Sequence, residues 1–282
     1  MNPETVLPIG DVELCVQTAG DPGDPAILLI HGAAASMVGW EEELCDRLAA
    51  GRRYVIRYDQ RDTGRSTVSP GGHPTYDLRD LARDALGIVD ALSLDTVHVV
   101  GRSMSGGTAL ILAVDHPDRV ETVTFLSTTT GDDGLPGPTP AFLAAADAPA
   151  PALDDHAAWV EHTVAVIRAY DGGSTLFDEV HVRRLVEIDL ARATDPSAAN
   201  HHFAIATPGP VRGGFGDIAV PALVVHGELD PVFPLPHAHA LRDAIPGARL
   251  VVLEGAGHEL PPARWDEFTA ALLEHTAPRG PR

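Results

Sequence analysis

The chain has no lysine: all 20 of its basic side chains are arginine, against 40 aspartates and glutamates, for a formal net charge of -20. That balance argues against nucleic acid or an anionic membrane surface as a partner, because their phosphates would be repelled. Cysteine is scarce as well. Cys15 and Cys45 are its only two and each has apolar neighbours, which points to buried thiols and a reducing, cytoplasmic setting. No apolar run approaches the ~18 residues of a membrane span, and the N-terminus lacks the basic-then-apolar order of a signal peptide, so no membrane partner is expected. Convincing metal-ligand spacing is missing too. His237-x-His239 and the His201-His202 pair lack supporting carboxylates or cysteines, so neither a metal nor a cofactor is called for.

What is present is 282 residues, 44% of them hydrophobic, enough for a substantial core. Short apolar, β-rich runs at 12–18, 26–30, 54–58, 96–100, 122–126, 222–225 and 249–253 read as strands. Several are continuous, as expected of parallel strands covered on both faces. Helical patterns alternate with them at 40–49, 78–92, 104–115, 237–244 and 264–274. The alternation predicts an α/β fold with a mostly parallel, twisted sheet flanked by helices. The rhythm fails in the middle of the chain, where helical patterns at 154–170 and 178–193 lie between Pro/Gly breaks. An α/β core at 1–128 and 218–282, interrupted by a helical insertion at 129–217, is the expected organisation. The stretch 144–151 reads as an Ala/Pro-rich linker.

Chemistry enters at Val97-His98-Val99-Val100-Gly101-Arg102-Ser103-Met104-Ser105-Gly106-Gly107. An apolar run stops at glycine, a serine follows on the turn, and small residues open a helix. This is the design of a nucleophile elbow, which lifts one side-chain oxygen above a sheet. The usual pattern is Gly-x-Ser-x-Gly, and here Ser105 holds the last glycine position. Ser105 itself falls in the first helical turn, away from the elbow, so Ser103 is the candidate nucleophile. A hydroxyl needs a base within hydrogen-bond reach, and the base needs an orienting acid. Asp230 lies just past the run 222–225, and His258 lies in Gly255-Ala256-Gly257-His258, past the last strand. Of the 14 histidines only His258 occupies that late loop. Asp132 and Asp133 are rival acids, but they lie further from their strand in a Gly-rich turn. After the strand 26–30 comes His31-Gly32-Ala33, a small-residue turn whose Ala33 amide can pair with that of Met104 as an oxyanion hole. Donors of that kind stabilise a developing oxyanion by roughly 3 kcal/mol apiece.

Elbow, His-Gly turn, Asp loop and late Gly-x-Gly-His together resemble the α/β-hydrolase superfamily, in its serine-hydrolase form with an inserted helical cap. Tyr58-Asp59-Gln60-Arg61-Asp62-Thr63-Gly64-Arg65-Ser66 is similar to that family's Asp-x-Arg-x-x-Gly-x-Ser turn. Its Arg-Asp-Thr-Gly-Arg-Ser form most resembles the methylesterases of anthracycline biosynthesis, of the aclacinomycin methylesterase type. The resemblance implies hydrolysis of a small-molecule carboxylic ester through an acyl-enzyme, with a methyl ester of an aromatic or polyketide-like compound as the substrate class. Carbon–carbon bond, lactone and amide hydrolysis, cofactor-free perhydrolysis and a slow-turnover receptor remain alternatives on the same residues. Dehalogenase and epoxide hydrolase chemistry is disfavoured, since those relatives carry aspartate at the elbow. His31, Arg102, Trp159 and Phe203 are candidate substrate contacts, although a turn-bonding role for His31 and a structural salt bridge for Arg102 fit as well. Phe142, Val166, Phe177 and Leu185 join Trp159 and Phe203 as a candidate apolar wall, with most of them expected to pack the cap's own core. A monomer or homodimer is expected.

Overall fold

Strands form where the sequence runs apolar without interruption. In the computed structural model, which describes residues 1–152 and 155–278, these are β1 (Thr5–Ile9), β2 (Val12–Ala19), β3 (Ala26–Ile30), β4 (Tyr54–Tyr58), β5 (Val97–Arg102), β6 (Val120–Leu126), β7 (Ala222–Gly227) and β8 (Arg249–Leu253). They form one eight-stranded sheet in the order β1-β2-β4-β3-β5-β6-β7-β8. β2 runs antiparallel to β1 and β4, and every other pairing is parallel. β3, β4, β5 and β7 are buried along their whole length. β1 was not anticipated. Its Thr-Val-Leu-Pro-Ile run is broken by Pro8 and mostly exposed, as suits an edge strand that owes its conformation to the hairpin with β2.

The helices are α1 (Glu42–Ala50), α2 (Leu78–Ala91), α3 (Ser105–Asp115), α4 (Pro140–Ala146), α5 (His156–Tyr170), α6 (Glu179–Arg192), α7 (Pro236–Ala244) and α8 (Trp265–His275). One face of the sheet packs on α2, α3 and α7 through residues such as Leu81, Ile111 and Leu241. The other packs on α1 and α8 through Leu44, Leu48, Phe268 and Leu272. The expected helix at 40–49 begins later, because a short 3-10 turn at Met37–Gly39 precedes it. Its first-turn Glu42 and Glu43 complement the helix dipole.

α4, α5 and α6 lie between β6 and β7, in the stretch expected to be helical. Asp154, the expected start of α5, lies outside the described residues, as do 279–282. α4 was unexpected: Thr139 caps it by accepting from the Phe142 amide, and it takes up part of the supposed linker. The insertion has a small apolar core of its own, made by Val160, Val164 and Val186. Besides Ile205 and Phe215, which pack against the sheet's core, polar contacts attach it to the sheet. Arg192, at the end of α6, makes a paired contact with Asp59 at 2.6 and 3.0 Å and a third bond to Glu4 at 2.7 Å. Gly64 leaves room for this contact, since a Cβ there would meet the Asp59 carboxylate at 2.3 Å.

Candidate active site

The site begins at the junction of β5 and α3. Ser103 stands between the last strand residue and the first helical one, with φ of 51°, a left-handed conformation that costs a serine about 1–2 kcal/mol. Its amide donates to the Leu126 carbonyl at 2.9 Å, and its carbonyl accepts from the Gly106 amide at 2.9 Å and the Thr128 hydroxyl at 2.8 Å. Gly101 is obligatory, because a Cβ would lie 2.2 Å from the Ser105 carbonyl oxygen. Ser105 is fully buried, and its hydroxyl donates to the His31 carbonyl at 2.5 Å. The serine that replaces the usual glycine thus ties the first turn of α3 to the end of β3.

Ser103 Oγ lies 3.0 Å from His258 Nε2, and His258 Nδ1 lies 2.8 Å from Asp230 Oδ2. Asp230 follows β7 and His258 follows β8, so all three residues stand past the carboxyl ends of parallel strands. The other carboxylate oxygen of Asp230 accepts from the Val232 and Phe233 amides, each at 2.9 Å. Burial pushes the Asp230 carboxyl up, but the neighbouring His258 outweighs it and holds the group below the ordinary carboxylate range. His258 is fixed from the insertion: its amide donates to the Tyr170 carbonyl at 2.8 Å, and the Tyr170 ring centroid is 5.3 Å from the imidazole. Asp132 and Asp133, the rival acids, lie in an exposed turn.

The turn after β3 passes directly beside the elbow, since a Cβ on Gly32 would be 3.0 Å from that of Ser103. Ala33 and Met104 both line the space above Ser103, and neither amide has an acceptor among the described residues. His31 and Arg102 are engaged by the protein. His31 Nδ1 accepts from the Gly32 amide at 2.8 Å, and its Nε2 lies 3.0 Å from Arg102 Nη1. Burial first, then the Arg102 charge, lowers the His31 pKa to about 3, so the ring is neutral. Arg102 also pairs with Glu259 at 2.5 Å and donates to the His258 carbonyl at 3.1 Å. It is a buried strut between three parts of the site.

Above these groups opens a cavity of about 670 Å³. Trp159, Phe142, Val166, Phe177, Leu185 and Phe203 all line it. The expectation that most of these pack the insertion's core is corrected: none of the six belongs to that core, which is Val160, Val164 and Val186, with Val186 lining the cavity as well. Phe203 is 65% exposed, which sets it at the rim rather than the depth of the cavity. Tyr170, Phe233, Asp189 and Ser36 also line the cavity or brace its floor and were not singled out in the sequence. Among the described residues no group of three or more His, Cys, Asp or Glu side chains is placed to hold a metal ion, and no helix is long and apolar enough to cross a membrane.

Residues 25–262 match the model of a family described as the alpha/beta hydrolase fold. The chain is 33% identical to rhodomycin D methylesterase DauP of Streptomyces sp. (strain C5), over 97% of this chain and 98% of that protein. It is 32% identical to rhodomycin D methylesterase DnrP of Streptomyces peucetius, with the same coverage. The methylesterase resemblance seen around Arg61 to Ser66 is thus met along the whole chain. Among solved structures, the enol-lactonase of Burkholderia xenovorans LB400 superposes with a TM-score of 0.76 at 24% identity, covering 97% of this chain and 100% of that one. At these distances a structural likeness speaks for the fold alone.

Proposed function

The chain belongs to the alpha/beta hydrolase fold family, and from that premise we propose that it hydrolyses carboxylic esters with Ser103 as nucleophile, His258 as base and Asp230 as orienting acid. The observation that carries this is the unbroken hydrogen-bonded series from Ser103 Oγ through His258 to Asp230 at the floor of the cavity. Ser103 Oγ attacks the ester carbonyl carbon while its proton passes to His258 Nε2. Asp230 stabilises the resulting imidazolium. The carbonyl electron pair moves onto oxygen, which the Ala33 and Met104 amides receive, aided by the N-terminal dipole of α3. Collapse of this intermediate breaks the ester C–O bond, and His258 returns its proton to the departing alkoxide. Water then gives a proton to His258 and attacks the acyl-enzyme. The acid leaves, and the proton goes back to Ser103.

The substrate is a methyl ester whose acid portion is bulky and aromatic or polyketide-like. A cavity of about 670 Å³ with an apolar wall has room for such a group. The names of the two methylesterase relatives support the same choice. The helical insertion serves as the cap that selects this group. A cytoplasmic location is part of the proposal, supported by two buried, unpaired thiols at Cys15 and Cys45. The test is a panel of aryl and alkyl esters, including aromatic methyl esters, a lactone and a diketone, run with the unmodified protein and Ser103→Ala. Hydrolysis of the aromatic methyl esters, abolished in the variant, is expected. Cleavage of p-nitrophenyl acetate alone would remove the methylesterase assignment.

A further inference from the structure

We propose that His202, carried by the helical insertion, is a positioning residue that sets the oxyanion-binding turn on the sheet. Three consecutive amides in that turn have different fates. The Gly32 amide donates to His31 Nδ1 at 2.8 Å, and the Ala34 amide donates to His202 Nδ1 at 3.1 Å. The Ala33 amide between them is left without an acceptor among the described residues and lines the cavity. Pinning the amides on either side aims the middle one.

The turn has reason to need an external hold. Ala34 has φ of 55°, a left-handed conformation that costs a non-glycine residue about 1–2 kcal/mol and persists only when its surroundings impose it. His202 is suited to impose it. The ring is 3% exposed, and its Nε2 donates to the Arg61 carbonyl at 2.8 Å. Its edge meets the Tyr76 ring at a centroid distance of 6.4 Å and an interplanar angle of 89°. Arg61 is in turn fixed by Asp84 at 2.6 and 2.8 Å. One ring nitrogen accepting and the other donating is the pattern of a neutral imidazole, and burial favours that form by lowering the His202 pKa. A second contact from the insertion acts on the same turn, where the Ser36 hydroxyl donates to Asp189 at 2.5 Å. The insertion therefore does more than wall the substrate in. It holds the backbone that receives the oxyanion.

The inference rests on the proposed roles of Ser103 and Ala33, and the experiment separates the two. His202→Asn keeps an acceptor near the Nδ1 position, whereas His202→Gln carries its amide toward the Nε2 position and loses the Ala34 contact. Both are compared with the unmodified protein and Ser103→Ala for kcat and KM on a reactive ester. Inhibition by a trifluoromethyl ketone, which loads the hole with a tetrahedral oxyanion, and thermal stability are measured alongside. His202→Gln is expected to lower kcat by about 10- to 100-fold with little change in KM. Inhibitor affinity should weaken by the same factor as kcat/KM, and His202→Asn should recover most of the loss. Equal losses in both variants that follow their stability, or a change in KM with inhibitor affinity intact, would overturn the positioning role. Ser103→Ala inactive with His202→Gln unimpaired overturns that role alone, whereas a fully active Ser103→Ala overturns the hydrolase mechanism with it.

Discussion

The sheet and the helical insertion are held by different forces, and the difference divides the labour of the site. β3, β4, β5 and β7 are apolar and buried throughout, so the residues at their ends stand on a rigid base. The insertion has only a small valine cluster as a core of its own and is tied to the sheet by several polar contacts: Arg192 to Asp59, His181 to Glu41, His202 to Ala34 and Asp189 to Ser36. The proposed bond-making groups thus sit on the part that tolerates little change. The cavity's apolar wall sits on a part that can be re-formed, provided its anchors are kept.

That contrast can be broken at several points. Removing the proposed nucleophile should act on chemistry alone: Ser103→Ala is expected to lower turnover by about 10⁴-fold or more while leaving the unfolding midpoint close to that of the unmodified chain. Arg192→Met leaves the Asp59 carboxylate, which has no exposure, without its charge partner. Such a loss should cost about 3–5 kcal/mol in urea unfolding, and a cost near zero would mean that the insertion is not anchored there. Truncations within the two cores should differ in size. Val224→Ala in β7 is expected to cost about 2–3 kcal/mol and Val164→Ala in α5 about 1 kcal/mol, because the smaller cluster can relax around the lost methyl groups. Equal costs would show that the insertion packs as tightly as the sheet.

A gentler effect concerns pH. Asp171, at the end of α5, is buried near Glu259, and these two influences raise its pKa from 3.8 to about 7. Between those values the folded protein holds a proton that the unfolded chain has released. Stability is therefore lost as pH rises through this window. Asp171→Asn should remove the loss, so the gain in Tm over the unmodified protein should grow from pH 5 to pH 8. A gain that stayed constant across that range, or shrank, would show that Asp171 does not take up a proton on folding.

The same contrast explains what could be read from the sequence. Parallel strands carry their burial on both faces, and continuous apolar runs expose them at once. Ser103 follows such a run directly and Asp230 and His258 come a few residues after theirs, so strand ends led to them. β1 escaped because Pro8 and its exposed positions blur the pattern, and its partner β2 supplies the ordering. α4 escaped because Ala and Pro suit a linker equally well, and Thr139 makes a cap only once the following turn is helical. Tyr170 over His258, Asp189 on Ser36 and His202 on Ala34 join residues distant in sequence, and no local spacing announces them. His202 was at least visible as half of a histidine pair, but its partner is an amide 168 residues away.

The central claim is that Ser103, activated by His258, forms the covalent bond to substrate. It is tested most directly by treating the protein with an aryl phosphonofluoridate and mapping the adduct by peptide mass spectrometry, in parallel with ester hydrolysis. A single adduct on Ser103, formed in step with the loss of activity and absent from His258→Ala, is the expected result. An adduct on Ser105, or complete inactivation with Ser103 unmodified, would contradict it.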